Sequence, residues 1–183
     1  ILYTACKEGD YEHIKMLLDS HANVNIICGN RTPLYAAAVF QKPDIARLMI
    51  QYGADINLKH PILKAIENED VEMVTIFLEN NAQILPEYFG DKRTPLYIAT
   101  QVGNFEIVKL LVEKVRDGVK RKNMINSKKY CNTHALYIAC KVGNIEIIKF
   151  LLEHGSIVTA NDLEVSIRYG QTKIVCILKK NID

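Results

Sequence analysis

The sequence has no tryptophan, only nine glycines and five prolines in 183 residues, and an odd number of cysteines. Five cysteines without a regular pattern do not make a disulfide framework, and they read as reduced thiols of a cytosolic chain. No run of about 18 apolar residues occurs, so no segment is a candidate membrane-spanning helix, and no secretory leader pattern opens the chain. The start at Ile1 rather than methionine is read as a sign of a trimmed or longer parent protein. A formal charge of +2 is too small to dictate a polyanion partner by itself. Cys-x-x-Cys, His-Glu-x-x-His, a glycine-rich phosphate loop and a nucleophile elbow are all missing. His13, His21, His60, His134 and His154 are scattered, and acidic residues fall at capping and surface slots. The expectation is therefore no catalytic residue, no metal, no cofactor and no small-molecule substrate.

What the chain does have is apolar content, 49% of its residues, arranged in echoes. TPLYIATQVGNFEIVKLL from Thr94 returns as HALYIACKVGNIEIIKFLL from His134. Related segments are TPLYAAAVFQKPDIARLMI from Thr32 and LYTACKEGDYEHIKMLL at the start, with degenerate copies from His60 and Leu163. Six approximate repeats follow: residues 1–26, 27–57, 58–84, 85–115, 127–158 and 159–183, with a basic insertion at about 114–130. The third copy follows the second by only 28 residues, which predicts a truncated connecting loop.

Each copy holds two apolar segments at helical spacing, split by a glycine or polar break. Asp10, Asp70, Asn104 and Asn144 are placed to cap the second helices, and Pro43 suits a first helical turn. Gly53, Asn81 and Gly155 stand where a left-handed residue ends a helix. Helices this short are marginal alone, so neighbouring copies must stack to fold. The fold class expected is all-α, a solenoid of about six helix-turn-helix repeats with almost no strand. Cys6 and Cys140 occupy the small-residue slot of the first helix and read as core filler. Cys28 and Cys131 lie three repeats apart, about 30 Å at the spacing of stacked helices, beyond disulfide reach.

The Thr-Pro-Leu-x-x-Ala core (Thr32-Pro33-Leu34, Thr94-Pro95-Leu96), the following glycine, the Ile-Val-x-Leu-Leu pattern and Gly53-Ala54-Asp55-Ile56-Asn57 resemble the ankyrin repeat. The resemblance covers essentially the whole chain. It implies stacked helix pairs, projecting β-turn fingers and a concave face that binds protein. Tyr3, Tyr35, Tyr97 and Tyr137 stand where family repeats usually carry histidine, implying that a phenol takes over part of that residue's bonding. His60 and His134 replace the threonine and are expected to cap helices. Ankyrin chains with this tyrosine, rich in Ile, Lys and Asn, are similar to those of poxviruses. That similarity implies an antagonist or adaptor acting on a host protein in the host cytoplasm, with the nucleus a second address. Many poxviral members add an F-box-like segment that recruits ubiquitin ligase; none is visible in these residues.

In the family, partners touch the finger residue before Thr-Pro-Leu and two late positions of the first helix. Carried onto this chain, the resemblance implies partner contacts at Arg31, Lys59 and Arg93 in the fingers. It also implies contacts late in the helices at the pairs Lys7 and Glu8, Val39 and Phe40, Glu67 and Asn68, Gln101 and Val102, Lys141 and Val142, and Arg168 and Tyr169. Phe40 reads either as an exposed anchor or as a side chain packed on its neighbour. The insertion carries Lys120, Arg121, Lys122, Lys128 and Lys129, with Tyr130 near its end as an anchor. It reads either as a solvated loop or as a contact for an acidic partner or nucleic acid; aromatics are not interleaved with its bases as stacking requires. The leading function is a protein-binding scaffold. The alternatives are an RNA or oligonucleotide binder, the substrate-recruiting part of a ubiquitin-ligase adaptor, and a spacer between other domains.

Overall fold

The computed structural model describes residues 2–89, 93–128 and 133–182. The chain divides into two compact units, residues 1–83 and 84–183. The first unit holds α1 (Leu2–Glu8), α2 (Tyr11–Asp19), α3 (Pro33–Val39), α4 (Pro43–Gln51), α5 (Pro61–Glu67) and α6 (Val71–Glu79). The second holds a 3-10 turn (Pro86–Tyr88), α7 (Pro95–Val102), α8 (Phe105–Lys114), α9 (Gly118–Ile125), α10 (Ala135–Val142), α11 (Ile145–Glu153), α12 (Ala160–Arg168) and α13 (Thr172–Lys179).

Within the first unit, α1, α3 and α5 lie side by side as one row, with α2, α4 and α6 as the other. Within the second, α7, α10 and α12 form the first row, and α8 packs on α11. The rows differ in residue size for a steric reason. The first-row helix α3 buries Ala36, Ala37 and Ala38 completely, so neighbouring backbones approach closely. Second-row helices fill the wider gap with Leu48, Met49, Met73, Phe77, Ile107 and Leu111, all buried. Among the described residues the one extended pairing is an isolated antiparallel bridge, Cys28 to Arg31.

The local signals act as their chemistry requires. Asp10, Asp70, Asn104 and Asn144 each accept the backbone N–H three residues on, at 2.9–3.1 Å. Thr32 and Thr94 cap α3 and α7 by accepting from the N–H groups of Tyr35 and Tyr97. Gly53, Asn81 and Gly155 adopt φ of 81°, 62° and 92°. His60 and His134 sit at N-cap positions but make no side-chain cap bond, contrary to expectation. His60 is itself left-handed, with φ 49°, so it closes the short turn from Asn57. His134 is turned to another use, described below.

The finger between the first two repeats is a tight hairpin. Cys28 and Arg31 exchange both backbone bonds, at 2.8 and 3.1 Å. Gly29 and Asn30 between them have φ of 55° and 68°. Positive φ at both central residues is the signature of a type I′ turn, which glycine and asparagine adopt at low cost. The next link has no such hairpin. Consecutive turns, Leu58 N–H to Asp55 O and His60 N–H to Asn57 O, take up its fewer residues.

Asparagine side chains tie successive repeats. Asn25 donates to Gly53 O at 3.2 Å and accepts from Asp55 N–H at 2.7 Å. Asn57 accepts from Gln83 N–H at 2.8 Å. Asn126 repeats the device, donating to Gly155 O at 2.9 Å and accepting from Ile157 N–H at 2.8 Å. This changes the meaning of the basic segment, which is not a solvated loop throughout. Asp117 caps α9 through the N–H groups of Val119 and Lys120 at 2.9 and 3.1 Å, and Met124 and Ile125 are buried. The repeat's own closing dipeptide is Ile125-Asn126. The extra residues therefore lie upstream of it, folded as a helix that two apolar side chains anchor to the core.

Candidate functional site

In the first unit the finger residue Arg31 is exposed and donates to the hydroxyl of Tyr3 at 3.4 Å. That bond, reinforced by the phenols of Tyr3 and Tyr35, raises the Arg31 pKa further. The tyrosine slot thus bonds a finger residue of the next repeat. Lys59 is exposed, and its ammonium donates to Asn30 Oδ1 in the preceding finger. Val39 and Phe40, where α3 ends, are half-buried. Phe40 is neither free nor sealed, since Lys7 Nζ lies 5.9 Å from its ring centroid. Asn68, at the matching slot of α5, is committed to structure. Its amide donates to Ala38 O and Val39 O, both at 3.1 Å, and its own carbonyl accepts from Gln41. On another side of this unit an open groove of about 650 Å³ is lined by Tyr11, Gln41, Lys42, Asp44 and Arg47, which the sequence pattern did not single out.

In the second unit Arg93 and Val102 are half-buried, and Gln101 and Lys141 are exposed. Val142 and Tyr169, at the ends of α10 and α12, keep 49% and 55% of their surface in solvent. These are large apolar surfaces at slots that the repeat does not need for packing. Of the basic segment, Lys120, Lys122 and Lys128 are exposed. Arg121 instead donates its Nε–H to Val115 O at 2.8 Å, which fastens α9 at its start. The Lys122 stem passes close to Gly155: a Cβ there would stand 3.0 Å from its Cε. Hydrogen bonds from backbone N–H groups, that of Lys120 foremost, hold the Asp117 carboxyl below its ordinary range. Lys129 and Tyr130, like Cys131, lie outside the described residues.

The most polar interior of the molecule lies between α10 and α12. His134 is 3% exposed, and its Nε2 stands 3.3 Å from Asp162 Oδ2. That oxygen also accepts from the Thr159 N–H at 2.6 Å and from its hydroxyl at 2.8 Å. Ser166 donates to Asp162 O at 2.7 Å. Cys140 is buried beside this set, and burial pushes its thiol pKa up to about 12. A thiol held protonated by burial is a poor source of the thiolate that a cysteine nucleophile needs. Cys6 is likewise pushed up to about 12 by burial. Among the described residues no group of three or more His, Cys, Asp or Glu could hold a metal ion. No described helix is long and apolar enough to cross a membrane.

Stacked helix pairs, finger turns and a surface whose variation falls on the fingers and helix ends define an ankyrin-type interaction module. A family model described as ankyrin repeats (3 copies) matches residues 1–60 and 59–123, and a single ankyrin repeat matches residues 131–163. The chain belongs to the ankyrin-repeat family, whose fold is a general protein–protein interaction fold. It is 29% identical over 114 residues to a putative ankyrin repeat protein of fowlpox virus (strain NVSL), covering 60% of this chain and 28% of that protein. It is 36% identical over 119 residues to a probable E3 ubiquitin-protein ligase of Oryza sativa subsp. japonica, covering 61% of this chain and 23% of that one. A third likeness, 36% over 69 residues, is to the human 2-5A-dependent ribonuclease, covering 38% of this chain and 9% of the enzyme. The chain therefore spans 28% or less of the length of each of these relatives. Among solved structures, the ankyrin repeat domain of human ASB11 matches with a TM-score of 0.80 at 22% identity, over 98% of this chain and 82% of that one. At that identity the likeness is one of fold.

Proposed function

We propose that the chain is a non-catalytic binding module that captures another protein through finger residues and helix ends. The observation that carries this reading is the exposure of Val142 and Tyr169 in the second unit, with exposed Lys141 next to Val142; in the first unit half-buried Phe40 has Lys7 beside its ring. Apolar anchors set among cations suit a protein surface, where a few aromatic and basic side chains dominate affinity. The fowlpox relative supports a viral source and hence a host protein as partner, met in the host cytoplasm. The rice relative's name supports the adaptor reading, in which such a module would recruit a substrate to a ubiquitin ligase. The test is affinity capture with mass spectrometry, comparing the wild-type chain with Phe40→Ala, Val142→Asp and Tyr169→Ala. Helical circular dichroism serves as the folding control. At least one variant is expected to lose about tenfold or more of the same set of proteins. Capture unchanged by all three would overturn the reading.

A further inference from the structure

Among the described residues no other link carries an α-helix like α9, the α6–α7 link holding only the 3-10 turn Pro86–Tyr88, and the repeat closes without it. Asn126 makes the tie to Gly155 and Ile157 that Asn25 makes to Gly53 and Asp55 from a link with no helix. Its inner side is spent on anchoring, through Met124, Ile125 and the Arg121 bond to Val115. Its outer side is unusual for a solvated helix. Val119 keeps 70% of its surface exposed in the same turn as exposed Lys120. Lys114, Arg116, Lys122 and Lys128, near it in sequence, are exposed as well, against one exposed acid in the segment, Asp117. None of these cations forms an ion pair with a described residue. Beside α9 lies an open cleft of about 410 Å³, lined by Leu85, Pro86, Glu87, Lys120, Asn123 and Ser127.

We infer that α9 and this cleft dock an acidic peptide segment that carries an apolar side chain, contributed by a protein partner. The proposal rests on the protein-binding reading above and names the chemistry of one partner segment. Lys120 and the other cations of the segment attract carboxylates. Leu85 in the cleft and Val119 on the exposed side of α9 offer apolar contact, and Asn123 and Ser127 can bond peptide groups. Glu87 in the lining and the exposed valine disfavour a nucleic acid, whose phosphates recur at every residue and cannot avoid an acid there. A peptide with intermittent acidic residues can.

The test is fluorescence anisotropy on the full chain at low salt. The probes are a short labelled peptide of Glu, Asp and Leu, its Gln/Asn counterpart, and a short oligouridylate. The acidic peptide is expected to bind and the neutral one not. Lys120→Glu should weaken the acidic peptide at least about tenfold, and Val119→Ser should weaken it a few-fold while α9 stays folded. Lys15→Glu, at an exposed position of α2 in the first unit, should leave it unchanged. Absence of acidic-peptide binding, binding indifferent to Lys120→Glu, or tighter binding of oligouridylate that ignores Val119→Ser overturns the proposal. Loss of this binding alone leaves the capture experiment untouched, so the two readings fail separately.

Discussion

Residues 1–83 and residues 84–183 build the same kind of repeat but join repeats differently. In the first unit the link from α2 to α3 is all turn: Asn25 ties it forward, and the Gly29–Asn30 hairpin brings Arg31 to the surface. In the second unit the link from α8 to α10 contains α9 before Asn126 makes the same tie. The starts of the first helices differ as well. In each unit one threonine, Thr32 or Thr94, caps its own helix and one histidine, His60 or His134, makes no side-chain cap bond; His134 instead meets Asp162 across to α12. The difference teaches that the repeat tolerates long-range replacements for local bonds.

Three sets of substitutions bear on this comparison. If α9 is core at one end and free at the other, Met124→Ala and Ile125→Ala should each cost about 2–5 kcal/mol. Val119→Ala should change stability by no more than about 0.5 kcal/mol. Urea midpoints measure all three, and equal small effects would mean that α9 is not anchored. Next, Asp162→Ala strips the acceptor from the Thr159 N–H and hydroxyl and the neighbour from His134, with an expected loss of about 2–3 kcal/mol. The local cap variant Thr32→Ala should lose about 1 kcal/mol. A larger loss at Thr32 would reverse the contrast drawn between the two kinds of helix start. Smallest, Asn25→Ala and Asn126→Ala should each cost about 1–2 kcal/mol by orphaning one backbone N–H and one carbonyl. Matching costs, read by the same denaturation, would establish the two ties as one device.

Much of the fold was legible because its determinants are local. Asp10, Asp70, Asn104 and Asn144 cap helices three residues away, so spacing in the sequence is distance in space. The candidate surface was legible only in outline. Spacing located the late-helix slots, yet Asn68 at one of them is committed to Ala38 and Val39, and Phe40 lies beside Lys7. A signal for the true end of the inserted segment was present: Ile125-Asn126 echoes Val24-Asn25 and Ile56-Asn57. It stayed hidden because its register relative to His134 is one residue longer than that of Asn25 to Thr32.

By itself the sequence determined the repeat, its helix pairs and their ends, because helical periodicity, caps and left-handed stops are short-range properties of consecutive residues. Only the tertiary structure decided what His134, Asn68, Arg121 and the basic segment do. Their partners lie on other elements, and no spacing along the chain encodes which buried donor will meet which acceptor. The basic run read as a solvated loop ahead of a contact until Met124 and Ile125 were seen to seal one end of it into the core, leaving Val119 and Lys120 outside.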